Sequence, residues 1–304
     1  MTMTMTMQLL VLVTACCVYS ALGNILPDGI NNLTELSLEE FEEHFGLPNI
    51  EDDETREKHR EALLNNEAVV KEANEKYENG EQTWFDEINE FSDLPDDEFA
   101  ALHTGLVMNT SMTYSKGLLD IPVPHDEVSE RYFDSLRYDR TTVPASYDAV
   151  SLGLVSGVKD QGNCGSCAAF ASVALVETCF LKTIGKSTGD YSEQHFVDCG
   201  YDGVLNNGCN GAAPHGYPKW LKDKKPNLAS ESGYPYKATR STCSTSYKTF
   251  FQGVSVSDAY WTESGTEDLL KKLVYQHGAV MVGIYANTIS SYKGRQSHIT
   301  RPDS

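Results

Sequence analysis

The chain has 304 residues, of which 40% are apolar, 22% charged and 10% aromatic. That balance excludes wholesale disorder, a fibrous repeat and a multi-span membrane protein. Its formal net charge of −20 repels nucleic acid and argues against a nucleic-acid partner.

The charge is unevenly spread. Residues 1–23 carry none, residues 24–142 hold 30 acidic and 9 basic side chains (30 − 9 gives −21), and residues 143–304 hold 14 and 15, giving +1. Two units with different jobs are expected. Within the uncharged start, Leu9 to Val18 is apolar but falls short of the roughly 20 residues a membrane span needs. Ala21 and Gly23 provide the small residues of a signal-peptidase site, so residues 1–23 are expected to be a signal peptide. No later run reaches spanning length. The sequons at Asn32 and Asn109 fit export and are candidate glycosylation sites.

Asp53 to Tyr77 is rich in Glu, Lys and Ala and lacks Gly and Pro, which predicts a long helix ending at Asn79-Gly80. Leu63, Asn66, Val70 and Asn74 recur at helical spacing and share one face. The two asparagines on that face need hydrogen-bond partners if buried. Residues 83–93 alternate in part like a strand, and a shorter helix begins at Asp96 with acids in its first turn. From Gly105 to Thr142 no sustained periodicity is evident, so this stretch reads as a linker.

Cysteine usage is concentrated in the second half. Cys16 and Cys17 lie in the leader; Cys164, Cys167, Cys179, Cys199, Cys209 and Cys243 follow. In an exported chain, clustered cysteines form disulfides. Gln161-Gly-Asn-Cys-Gly-Ser-Cys167 leads into a nearly all-apolar, Gly-free run from Ala168 to Lys182. A helix opening at Cys167 would place that sulfur at the positive end of a helix dipole, which favours thiolate. The Cys167 N–H is then an unpaired first-turn donor, and Gln161 offers a side-chain amide as a second donor to an oxyanion. A dithiol redox motif, half of a zinc site and two plain structural cysteines compete with a catalytic thiol. The redox reading lacks its strand–helix–strand surroundings, and the zinc reading lacks a second close Cys/His pair, so no metal and no cofactor are expected.

The segment Cys164-Gly-Ser-Cys167 resembles the local signature of papain-type cysteine proteases. The resemblance extends to Val158–Gln161, Tyr191–Cys199, Gly208-Cys-Asn-Gly211 and Gly233-Tyr-Pro-Tyr236. The acidic half resembles the inhibitor prodomain of cathepsin L-like members. Leu63, Asn66, Val70 and Asn74 match its helix signature, with Thr55 and His59 standing where Glu and Arg are expected. Glu87-x-Asn89-x-Phe91-x-Asp93 follows, with only the initial Gly replaced.

The resemblance implies an α+β, papain-like two-domain cysteine protease fold preceded by a helical prodomain. The expected organisation is a signal peptide at 1–23, an inhibitory prodomain at 24–104, a linker and activation region at 105–142, and a peptidase domain at 143–304 whose C-terminal part is missing. It further implies Cys167 as nucleophile, Gln161 as oxyanion donor, and disulfides Cys164–Cys209 and Cys199–Cys243. Gly211, Ala212, Ala213 and Pro214 would line the substrate site. Cys179 would be a buried thiol outside either bridge. Implied partners are peptide or protein substrates and the chain's own prodomain, in a monomer delivered to a lysosome or outside the cell. In relatives the prodomain leaves the cleft at acid pH, and protonation of its many carboxylates offers a route.

Three departures stand out: Ala168 and Ala149 replace tryptophans, and Ala212 replaces the second Gly of its loop. Replacing a buried Trp by Ala typically costs about 3–5 kcal/mol, so a looser cleft is expected. The family's His–Asn pair is expected about 130–150 residues after the nucleophile. His298 is 298 − 167 = 131 residues on, and no Asn follows it. It is a poor candidate for the base, Gly294 onward reads as an unrelated tail, and the expectation is an inactive chain. A strand is expected around Val280–Tyr285, His277 is expected to be structural, and His195 and His215 are expected at the surface. A non-catalytic homologue, or a secreted prodomain-type inhibitor of related proteases, is the alternative.

Overall fold

The computed structural model describes residues 8–11, 37–105, 127–185, 189–249, 256, 258–261, 266–283, 286 and 290–294. Asn32, Asn109 and His298 lie outside them. The chain divides into two compact units. One comprises Ala21–Ala101 with Tyr285–Ser304, the other Met1–Ser20 with Leu102–Ile284.

The elements run β1 (Gln8–Val11), α1 (Leu38–Phe45), α2 (Asp53–Glu78), β2 (Phe85–Asp86), α3 (Asp96–His103), α4 (Glu127–Arg137), α5 (Cys167–Ile184), α6 (Glu193–Cys199), α7 (Gly216–Lys224), β3 (Asp258–Trp261), α8 (Glu267–His277) and β4 (Tyr292–Gly294).

The acidic unit is built on α2. Asp52 caps it by accepting the Thr55 N–H at 2.8 Å. Its predicted stripe does two jobs. Leu63 and Val70 join Leu38, Phe41 and Ile88 in a small core. The two asparagines point at the following chain instead. Asn66 donates to the Ser92 carbonyl at 2.8 Å, and Asn74 both donates to the Asp86 carbonyl and accepts the Asp86 N–H, each at 2.9 Å. Half-buried amides thus fasten the strand–turn segment onto the helix. β2 pairs antiparallel with β4, and Asn89 donates to the Ser290 carbonyl at 2.8 Å. α1, which the hydrophobic pattern did not suggest, carries a reciprocal capping box between Ser37 and Glu40.

His59 stands where the family resemblance placed arginine. Its Nδ1 lies 2.9 Å from Asp93 Oδ2 and its Nε2 3.1 Å from Glu98 Oε2. Burial pushes the Asp93 carboxyl up, and the His59 contact partly opposes that.

The second unit is organised around α5. Its apolar surface buries Ala169, Val173, Val176 and Phe180 against α6, α7 and β3. Gly185 ends it in the left-handed region, φ 69°. α6 is buried along its length although it reads as polar. Ser192 caps it by accepting the His195 N–H at 2.9 Å, while Gln194 and Asp198 bind the backbone of the 237–241 loop. Lys159 lies between Glu193 and Asp190, each at 2.6 Å, with Glu177 at 3.1 Å. Burial pushes the Glu193 carboxyl up to about 7 despite the lysine. Burial alone would lower Lys159, but the charges of Glu193 and Glu177 outweigh it and hold the ammonium high.

Disulfides Cys164–Cys209 and Cys199–Cys243 are both formed. Sequence separations of 45 and 44 correspond to about 4 kcal/mol each in the chain-entropy account. Cys179 is in neither bridge, and burial pushes its thiol up to about 12.

Three expectations need correction. Residues 127–137, read as part of an irregular linker, form α4. Phe133 and Leu136 pack with Tyr260, Leu269 and Leu273, a stripe too short and too interrupted by charge to stand out in the sequence. His195 and His215 are buried, not at the surface. His195 sits among Phe196, Trp220, Tyr234 and Tyr247 and accepts the Ala229 N–H at 3.4 Å; burial lowers it to about 4. Burial also lowers His215, helped by Lys219. The strand expected at Val280–Tyr285 is reduced, among the described residues, to an isolated bridge position at Met281. His277 is structural as expected, its Nε2 2.5 Å from Tyr132 Oη. β1, within the stretch expected to be a signal peptide, runs parallel to β3.

Candidate active site

α5 begins at Cys167, whose residue is 6% exposed. The loop before it is held at both ends. Cys164 is tied to Cys209, and the Gly165 N–H donates to the Cys209 carbonyl at 2.9 Å. Gly162 adopts φ 56°, a conformation open to glycine at no steric cost. Ser166 occupies the cap position without capping the helix. Its hydroxyl meets Tyr236 Oη at 2.6 Å, and that phenol donates to the Gln161 carbonyl at 2.8 Å. The motif Gly233–Tyr236, for which the sequence offered no role, therefore braces the loop that carries both candidate site residues. The Tyr236 ring also meets Phe170 edge-on at 4.9 Å.

Gln161 is buried, and its amide nitrogen donates to the Cys164 carbonyl at 2.9 Å and to the His103 carbonyl at 3.2 Å. The segment ending α3 thus reaches the amide expected to serve an oxyanion. Gly105 follows, and its carbonyl accepts the Ala212 N–H at 2.8 Å. A Cβ added to Gly105 would stand 2.9 Å from Cys167 Sγ and 2.3 Å from the Gly165 carbonyl oxygen. Only a residue without a side chain fits so close to the thiol.

The structure therefore brings Cys167, Gln161 and Ala212 together around one short piece of chain, from His103 at the end of α3 to Gly105. Gly211, at φ 93°, and the buried Pro214 flank Ala212, and Ala213 is half-buried. The Ala213 N–H is used internally, donating to the Leu205 carbonyl at 2.6 Å. The sequence placed a boundary at residues 104 and 105 and so divided the segment that occupies the site. No periodic signal marks three residues at a helix end, but Gly105 was the available clue. Ala168, in the family's tryptophan position, is buried in the main core.

Among the described residues, no group of three His, Cys, Asp or Glu is arranged to hold a metal ion, and no helix is long and apolar enough to cross a membrane.

Comparison with known proteins gives the family. The profile of the papain family cysteine proteases matches residues 143–300. A digestive cysteine proteinase 1 of Homarus americanus is 33% identical over 265 residues, 87% of this chain and 73% of that protein. A cathepsin L-like proteinase of Phaedon cochleariae is 31% identical over 74% of this chain and 62% of its own length. Among solved structures, a digestive procathepsin L 3 of the Tenebrio molitor larval midgut superposes with a TM-score of 0.56 at 27% identity. That match covers 78% of this chain and 69% of the beetle protein. The chain thus spans about two thirds of the length of these relatives.

Proposed function

We propose, for a chain that belongs to the papain family of cysteine proteases, that it is a cysteine-type endopeptidase zymogen with Cys167 as nucleophile. In this reading the Cys167 thiolate forms an S–C bond to a peptide carbonyl carbon. The carbonyl oxygen becomes an oxyanion received by the Cys167 N–H and the Gln161 amide. Collapse breaks the C–N bond, the amine leaves with a proton, and water then releases the acyl group from sulfur as a carboxylic acid. Gly211–Pro214 would line the site for the substrate, with the Ala212 N–H available to a substrate carbonyl.

The observation that carries the reading is the bound peptide segment of the chain itself. The His103 carbonyl sits on the Gln161 amide while Gly105 lies against the thiol and takes the Ala212 N–H. A site that holds a peptide backbone at a helix-terminal thiol is suited to hydrolyse one, and the same contact is autoinhibitory. The general base is not assigned to any described histidine. His195 is enclosed by aromatic rings and His277 is engaged by Tyr132. Two disulfides fit an oxidising compartment, and we place the protein in the secretory pathway, in a lysosome or outside the cell.

The test is labelling of the full chain with an electrophilic epoxide peptide directed at cysteine protease thiols, read by mass spectrometry, with Cys167→Ala as control. Labelling confined to Cys167, and faster than with free cysteine, supports the enzyme. Labelling no faster than free cysteine sinks it. Should the Cys167→Ala chain inhibit an active relative, the alternative of a protease-binding inhibitor gains the ground lost.

A further inference from the structure

We propose that Tyr236 is a positioning residue that keeps the Ser166 hydroxyl from capping α5 and so reserves the start of that helix for the Cys167 sulfur. This role rests on the reading of Cys167 as the nucleophile.

A serine before a helix ordinarily turns its side-chain oxygen onto a first-turn N–H. Ser37, Asp52, Ser192 and Thr266 do so for α1, α2, α6 and α8, each from extended backbone with ψ between 116° and 159°. Ser166 departs from them. Its ψ is 14°, and its side chain makes no cap. The hydroxyl is turned to Tyr236 Oη at 2.6 Å, with the Cys164 carbonyl farther off at 3.3 Å. The phenol has one proton and gives it to the Gln161 carbonyl at 2.8 Å, so the Ser166 hydroxyl donates to the phenol oxygen. Tyr236 is itself fixed over the first turn of α5. Its N–H donates to Glu231 Oε1 at 2.7 Å, and its ring meets Phe170 edge-on.

A capping oxygen would set its lone pairs on the first-turn N–H groups, whose partial positive charge favours the thiolate. Turned away to Tyr236, the Ser166 hydroxyl does not compete with sulfur for that charge. Burial holds the phenol proton, pushing Tyr236 up to about 12 against the opposing Ser166 contact, so the arrangement persists over the range in which a thiol ionises. Glu193 of α6, Asp160 and Glu231 are the charged groups around the phenol, and Tyr217 of α7 faces the thiol. Removing one phenol oxygen leaves all four in place.

The test is the pH midpoint for alkylation of Cys167 by iodoacetamide in the full chain, read by mass spectrometry so that Cys179 is followed separately. A midpoint, unlike a rate, does not depend on how far His103–Gly105 covers the sulfur. Tyr236→Phe keeps the ring against Phe170 and frees Ser166 to cap, so the midpoint should rise by about 0.5–1 pH unit. Adding Ser166→Ala to that variant should bring it back. Ser166→Ala by itself, which needs no change at Tyr236, should leave it where it is. A Tyr236→Phe midpoint equal to that of the wild type overturns the proposal and leaves Cys167 as the nucleophile. A rise that Ser166→Ala fails to reverse overturns it too, because it marks general damage to the loop. A fall in Ser166→Ala alone does the same, because it shows the hydroxyl already capping α5. A wild-type midpoint no lower than that of free cysteine overturns the nucleophile itself, and this role with it.

Discussion

Replacing Lys159 by methionine should expose how the α5–α6 packing depends on one ammonium. Glu177 and Glu193 have side chains only 2% exposed, while Asp190 is 58% exposed. Losing the lysine takes the counter-ion from two buried carboxylates, of which Glu177 keeps the Ser156 hydroxyl and the Tyr191 N–H, while Asp190 can still turn to water. Breaking a buried pair from one side costs about 3–5 kcal/mol. The pH dependence follows from Glu193, raised from its ordinary 4.5 to about 7, a difference of about 3 kcal/mol between its two protonation states. Its folded value lies above its unfolded one. The stability it contributes is therefore full below pH 4.5 and is lost as pH rises through about 7. At pH 5 Glu193 holds its proton, one of the two charges without a counter-ion vanishes, and the penalty of Lys159→Met should fall by about half. Urea unfolding at pH 5 and pH 8, under non-reducing conditions, reads both values. Adding Glu193→Gln to the methionine variant should recover much of the loss at pH 8. A penalty below about 1 kcal/mol, or one identical at the two pH values, would refute the reasoning.

Gly105→Ala places a methyl group where the thiol and the Gly165 carbonyl already stand; it should push the segment out and raise the iodoacetamide alkylation rate of Cys167 at least several-fold. An unchanged rate would mean that this segment does not cover the sulfur. His59→Ala leaves the buried Asp93 without its imidazole partner and should lower the stability of the acidic unit by about 2–3 kcal/mol, measured by thermal melting at pH 6. His59→Arg, which restores two donors, should recover most of it. Ser192→Ala removes the α6 cap and a hydroxyl that donates to the Tyr234 carbonyl at 2.5 Å; a loss of about 1–2 kcal/mol is expected in urea, and no measurable loss would show the cap to be dispensable.

The sequence made the helix at Cys167 legible because eighteen residues without glycine or proline leave few alternatives. The stripe of α2 was equally plain, and its two asparagines announced a need for partners that only the fold could identify. Both disulfides followed from resemblance, not from spacing. What stayed hidden depends on distant residues. Tyr191–Cys199 looks like a solvated polar turn, yet its polar groups are buried because Lys159, Thr239 and Ser241 come from elsewhere to satisfy them. His195 was misjudged for the same reason. α4 and α1 are short, and eight to eleven residues contain too few periods for a stripe to dominate. For α1 the signal was nevertheless present as Ser37-x-x-Glu40. The occupation of the site by His103–Gly105 needed tertiary structure altogether.

The ladder between β2 and β4 sets a schedule for biosynthesis. Asn89 finds its carbonyl partner at Ser290, 201 residues downstream. At about 5–20 residues per second the ribosome delivers that partner on the order of 10–40 s after Asn89 itself. Until then α2 can hold Asp86 and Ser92 through its own asparagines, but β2 waits with one edge unfilled. The asparagine clamps keep the early half in register over that interval, and the last described strand to be synthesised completes the first unit to appear.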